Sequence, residues 1–284
     1  MTPLARVSEM LRLANTADRV FPATTLYNEG WLLRLVLDWF AHQRPEGHPL
    51  SLQPGARWFS EALLPSQFFA RRRGDRLAEG WTHADGVIGH FVIGGAALAD
   101  TTLAANAIQF VVTEAKLFSP LSPGVTNARY FDQAARSVAC IVDVLCRGPR
   151  KPDDLCSLAF FVIAPAAQIK LKLFDTLMHK NSIEAKVRKR ISEYPSPDYE
   201  AKRDWLEKWF LPTLQIVKVE CLCWENVIDF IHTKDAHFGS ELPGFYADCL
   251  KFNRVQEPII EPAVASTIAP SDDPSSTEAT SSAQ

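Results

Sequence analysis

The sequence predicts an α/β fold, a central sheet with helices on both of its faces. Three observations predict it. Short runs rich in β-branched and aromatic residues, VIGHFVI, IQFVVTEA and LAFFVIA, read as strands. Between them lie stretches whose apolar residues recur at helical spacing, notably 28–43 and 127–146. Strands separated by helices argue for a sheet covered on both sides. Composition agrees: the 284 residues are 47% hydrophobic and 22% charged, ordinary globular usage and enough for a sizeable core. We read one domain over residues 1–255.

Taken in order, residues 3–15 read as a short helix. Residues 28–43 form a stronger one, with Trp31, Leu32, Leu35, Val36 and Trp39 on one face. Residues 57–69 read as a further short helix, stopped by Pro65. Residues 81–94 alternate through Val87, Ile88, Phe91, Val92 and Ile93, as in a strand pair or a bent strand. Residues 107–115 are a strong strand. Residues 127–146 are a helix with Phe131, Ala134, Ala135, Val138, Ile141, Val142 and Leu145 on its apolar side. Residues 158–164 are a buried strand ended by Pro165. Three amphipathic helices follow at 168–180, 183–194 and 198–210, then a strand at 214–224 and a helix opening at 225–231. The end of the chain, with PSDDPSSTEATSSAQ, is rich in Ser, Thr, Pro and acid and has no aromatic residue. It holds too little apolar surface to offset the entropy of ordering, so a disordered tail is expected over 256–284.

Lys and Arg total 30 against 33 for Asp and Glu, a net charge of −3. This is not a chain that coats nucleic acid by overall charge, although a local basic patch carries its own field. No apolar run reaches the length of a membrane span, and the N-terminal MTPLARVSEMLRLANTADR is charged throughout. A cytoplasmic protein without a membrane anchor is expected. The cysteines, at 140, 146, 156, 221, 223 and 249, lack a repeated C-x-x-C spacing, lie among apolar neighbours and read as reduced, buried thiols. Cys221 and Cys223 would share a strand face, but a zinc site there needs two more ligands. GxxxxGK[ST], GxSxG and HExxH are absent, so ATPase, α/β-hydrolase and zincin readings lack their motifs.

The informative segment runs from Asp85 to Gln133. Asp85 stands in THADGVIGHF, and IQFVVTEAKL ends with Glu114 and Lys116 two residues apart. Residues i and i+2 of a strand share a face, so Glu114 and Lys116 project together with Ala115 opposite. Burying an acid or a base alone is costly. One explanation is a mutual ion pair. The sharper one is a metal site, in which Asp85 and Glu114 offer hard oxygen ligands for Mg²⁺ and Lys116 faces a phosphate or a water.

An Asp, then a hydrophobic strand ending in E-x-K, then a helix, resembles the PD-(D/E)XK nuclease superfamily, the restriction-endonuclease-like fold. The resemblance implies, over about residues 28–165, the family's α-β-β-β-α-β core with a mixed central sheet, and added helices beyond. Here Ala84 stands where the family's motif has Pro. The resemblance implies that Asp85, Glu114 and the carbonyl of Ala115 hold Mg²⁺, with Mn²⁺ as a substitute, and that Lys116 orients or deprotonates the attacking water. It implies an acid on the first core helix, for which Glu29 is preferred over Glu61. It also implies a Gln or Tyr on the helix after E-x-K. Tyr130 and Gln133 share a helix face there, with Arg129 and Arg136 nearby, and Gln133 would position the nucleophile or Lys116. The activity implied is metal-dependent endonucleolytic hydrolysis of nucleic acid, DNA ahead of RNA. A homodimer is a further expectation. The alternative is a catalytically silent copy of the fold that binds nucleic acid or a protein.

Other residues stand near this segment. Asp100 is a rival acid in the loop 94–106. His83 and His90 flank Asp85. Arg71, Arg72, Arg73 and Arg76 form one basic run, and Lys180, Lys186, Arg188, Lys189 and Arg190 a second. Each run reads either as a solvated face or as a nucleic-acid contact.

Overall fold

The computed structural model describes residues 2–95, 97–124 and 127–254. The tail expected over 256–284 lies outside the described residues. The chain begins with helix α1 (Pro3–Arg12) and then α2 (Glu29–Gln43). Asn28 starts α2 by accepting the Trp31 backbone N–H at 2.9 Å. Strands β1 (Arg57–Leu64), β2 (Thr82–Gly89), β3 (Phe91–Ile93), β4 (Thr101–Leu103) and β5 (Gln109–Ala115) follow. Helix α3 (Gln133–Arg147) then crosses back to β6 (Ser157–Ala164). Short helices α4 (Ala166–Lys170) and α5 (Asp175–Met178) precede α6 (Lys180–Ser192) and α7 (Asp198–Trp205). A π-helical stretch joins α7 to α8 (Leu211–Ile216), and β7 (Lys218–Cys223), α9 (Trp224–Lys234) and α10 (Ala236–Asn253) complete the described chain.

Five strands form one mixed sheet in the order β1-β2-β5-β6-β7, and β3 and β4 form a separate antiparallel pair. β1 with β2 and β2 with β5 are antiparallel, whereas β5, β6 and β7 run parallel. Parallel neighbours need long crossovers, and α3 supplies the one between β5 and β6. All seven residues of β5 are buried, as expected of a central strand covered on both faces. On one face Phe110, Val112, Phe160 and Val162 meet α3, α6 and the helices after it. On the other, Val111, Ala115, Phe161 and Ile163 meet α2, α9 and α10. Each large apolar side chain buried this way contributes about 1.5–3 kcal/mol.

Several expected boundaries shift. Residues 57–69 do not form a helix: residues 57–64 are β1. Ser60 faces α2, where its hydroxyl accepts from Arg34, while Ala62 and Leu64 join the opposite core. Short apolar runs suit either period, and here sheet pairing decided. The helix expected from 127 starts at Gln133, because Asp132 caps it by accepting the Ala135 N–H at 3.2 Å. The single helix expected over 168–180 is broken between α4 and α5, where Lys172 takes a left-handed φ of 58°. The strand expected from 214 begins at Lys218, since α8 runs on to Ile216. Helix α10 was not expected from the sequence, because Gly239, Pro243 and Gly244 interrupt its pattern. All six cysteines are free thiols, but only Cys140 and Cys249 are buried as expected; Cys146, Cys221 and Cys223 are half-buried and Cys156 is exposed. No described helix is long and apolar enough to cross a membrane.

Candidate active site

Glu114 and Lys116 stand at the carboxyl end of β5, on the α3 face of the sheet. Glu114 is only 3% exposed, and Lys116 donates from Nζ to its Oε1 at 2.7 Å. The β2–β5 register runs Val87↔Val112 and Gly86↔Thr113, so its next step sets Asp85 opposite Glu114. The ladder stops at that step. Instead, the Asp85 carboxylate accepts the Ala115 backbone N–H at 2.8 Å. A side chain thus takes the place of a backbone partner where the two strands part.

The Asp85 and Glu114 carboxyls are within hydrogen-bonding reach of each other. Burial, and then the charge of Asp85, push the Glu114 pKa well above the usual carboxylate range, and the Lys116 ammonium offsets this only in part. The backbone of Lys116 is held from two sides. Its N–H donates to the Ile163 carbonyl at 2.8 Å, and its carbonyl accepts the Trp224 indole N–H at 2.9 Å. Trp224 is fully buried. It lies far along the chain from Lys116, so no local spacing could have pointed to it.

The same break passes into β1. Register pairs Ser60 with Gly86 and Ala62 with Ala84, which sets Glu61 opposite Asp85. Glu61 has a left-handed φ of 57°, and its side chain turns to Arg34 of α2 at 3.2 Å. Directly opposed residues of an antiparallel pair share a face. An extended Glu61 would bring a third carboxylate toward Asp85 and Glu114, and the left-handed turn avoids that repulsion. The sequence pattern places Glu61 on a helix; its left-handed backbone on a strand is not legible from spacing.

Asp85, Glu114, Ala115 and Lys116 are therefore brought together. Glu29 and Gln133 are placed differently. Glu29 is the first residue of α2, and its charge acts on Cys249 of α10. Among the described residues it makes no hydrogen bond or ion pair with Asp85, Glu114 or Lys116. Gln133 opens α3, and its Oε1 accepts from the Ser122 backbone N–H at 3.1 Å and from the Ser122 hydroxyl at 3.3 Å. It anchors the loop that follows Lys116. Asp100 is buried beside Leu63 of β1. His83 is exposed on β2, and His90 bonds through Nε2 to the Pro54 carbonyl at 2.9 Å. A cleft of about 1230 Å³ opens where β6 and β7 begin, lined by Ser157 and Lys218 among others, at the end of the sheet away from Glu114.

In comparison with known proteins, the chain matches no family model, no curated protein and no solved structure. Its chemistry is therefore argued from the convergence of Asp85, Glu114 and Lys116.

Proposed function

We propose that the protein is a metal-dependent nuclease of the PD-(D/E)XK type, hydrolysing phosphodiester bonds of nucleic acid, with DNA as the favoured substrate. The observation that carries this reading is the meeting of Asp85 and Glu114 at the point where β2 and β5 part, with Lys116 bonded to Glu114. The order of elements supports it: α2, β1, β2, β5, α3 and β6 follow the α-β-β-β-α-β sequence, with β3 and β4 as an insertion.

The donor set suits a small divalent cation. One oxygen of Asp85 is taken by the Ala115 N–H and one of Glu114 by Lys116, and the two carboxyls still lie side by side. Two carboxylates held so close repel unless a proton or a cation lies between them. Among the described residues no group of three or more His, Cys, Asp or Glu converges. Mg²⁺ needs only one or two carboxylates and completes its shell with water, so Asp85, Glu114 and the Ala115 carbonyl are a sufficient set. Bound there, Mg²⁺ or Mn²⁺ would supply Lewis acidity and a more acidic water. The chain's own part is electrostatic: Lys116 holds a positive charge beside the phosphate and orients the attacking water. Gln133 retains an outer role in this proposal, through the loop it anchors, whereas Glu29, placed against α10, takes no part in it.

The test is nicking of supercoiled plasmid in a Mg²⁺ or Mn²⁺ titration, with wild type, Asp85→Asn and Lys116→Met. Loss of one such preorganised group typically costs about 10²–10³ in rate. Metal-dependent nicking lost in both variants supports the proposal. A second reading, the silent binding module, is favoured by one observation: Glu114 is buried and its carboxyl is already bonded to Lys116. No wild-type cleavage of DNA or RNA with either metal, and no metal-dependent thermal shift, would replace the first reading with the second.

A further inference from the structure

We propose that Arg72, Arg73, Arg76, Arg129 and Lys189 form a single face that binds the phosphate backbone of the nucleic acid. The proposal rests on the nucleic-acid reading above and names where the strand lies. All five are exposed, and among the described residues none is in an ion pair.

Three segments distant in sequence bring them together. Asn127 donates from Nδ2 to the Arg76 carbonyl at 2.6 Å, joining the loop at 70–80 to the segment before α3. Arg190 and the Tyr194 hydroxyl both donate to the Leu77 carbonyl, seating the same loop on α6 and the turn after it. Lys189 of α6 lies 3.9 Å from the centre of the Tyr130 ring, beside Arg129.

The acids nearby are already engaged. Asp198 takes Arg71, Asp132 takes Lys186 at 2.6 Å, Glu184 takes Arg188 at 2.7 Å and Glu193 takes Arg190 at 3.3 Å. Asp75 caps its own turn through the Leu77 N–H at 3.0 Å. Asp75 keeps its charge, but the five remaining cations outnumber it and set the sign of the local field, although the whole chain is net negative. They are spread over three segments, which suits an extended polyanion and not a single small anion. Gln133 and Ser122 tie the segment carrying Arg129 to the loop that leaves Lys116, and the loop at 70–80 runs into β2, the strand that carries Asp85.

The experiment measures binding without cleavage. Fluorescence anisotropy of a short fluorescein-labelled duplex DNA is followed in EDTA, across about 50–200 mM salt. The variants are Arg72→Ala/Arg73→Ala/Arg76→Ala and, separately, Arg129→Ala/Lys189→Ala. Lys234→Ala/Lys251→Ala, on α9 and α10, is the control. Each lost phosphate contact should flatten the log Kd against log salt slope by about 0.9. Both test variants should bind more weakly and less salt-dependently, and the control should match wild type. Unchanged affinity and slope in both test variants overturns the proposal, as does binding to anionic vesicles without binding to DNA. DNA bound through these residues but never cleaved would overturn only the nuclease reading. Metal-dependent cleavage retained with an unchanged KM in both variants would overturn only this face.

Discussion

Glu61 lies directly opposite Asp85 in the β1–β2 register, yet its left-handed backbone turns it to Arg34 on the far side of the sheet. Non-glycine residues held in that region cost of order 1–3 kcal/mol and cluster at functional sites. Here the turn keeps a third carboxylate away from Asp85 and Glu114. The Arg34–Glu61 pair is largely exposed on the Glu61 side, so it contributes little by itself.

Glycine adopts this conformation freely. Glu61→Gly is therefore expected to be more stable than Glu61→Ala by about 1 kcal/mol, measured by urea unfolding. Equal midpoints for the two variants would show that the backbone at 61 carries no strain.

Glu114 links stability to pH. Its folded pKa lies above its unfolded value, through burial first and Asp85 second. The folded state therefore binds more protons between those two values, and stability falls as pH rises through that window. Glu114→Gln should flatten the fall. Thermal melts from pH 4 to pH 9 read both curves, and an unchanged slope in the variant would assign the dependence to another group.

Lys116→Met keeps the length and apolar stem of the side chain but removes the charge beside Glu114. At neutral pH and below, burial keeps Glu114 protonated, the more so without the ammonium, and the loss should be small. At higher pH an uncompensated buried carboxylate remains, and the loss should grow toward about 3–5 kcal/mol. Denaturant unfolding at two pH values measures the difference. A pH-independent loss would mean that packing, not charge, is the contribution of Lys116.

Trp224→Phe retains most of the ring but deletes the donor to the Lys116 carbonyl. A buried acceptor left without its partner costs about 1–3 kcal/mol. The same variant should slow nicking if the strand end shifts. A melting temperature equal to that of wild type would show that water or another donor replaces the indole.

Gly86 allows α2 to sit close on β2. A Cβ there would meet Thr113 Oγ1 at 2.5 Å and Leu37 Cδ1 at 2.8 Å. Gly86→Ala should destabilise by about 1–3 kcal/mol through overpacking. Because residue 86 follows Asp85, cleavage should fall with it. Wild-type stability would show that α2 can move aside at no cost.

The sequence by itself determined the features that depend on local periodicity. The buried strands β5 and β6, the pairing of Glu114 with Lys116 on one face and the amphipathic α2 and α3 all follow from spacings of two or about 3.6 residues along one segment. The tertiary structure alone decided the rest. Residues 57–64 became a strand because β2 offered a ladder, and Glu61 turned away because Asp85 and Glu114 already occupied its face. Trp224 reached Lys116, and Arg76 came to rest beside Asn127, across long stretches of chain. Such contacts depend on which surfaces meet once the sheet has closed, and no short-range pattern encodes that.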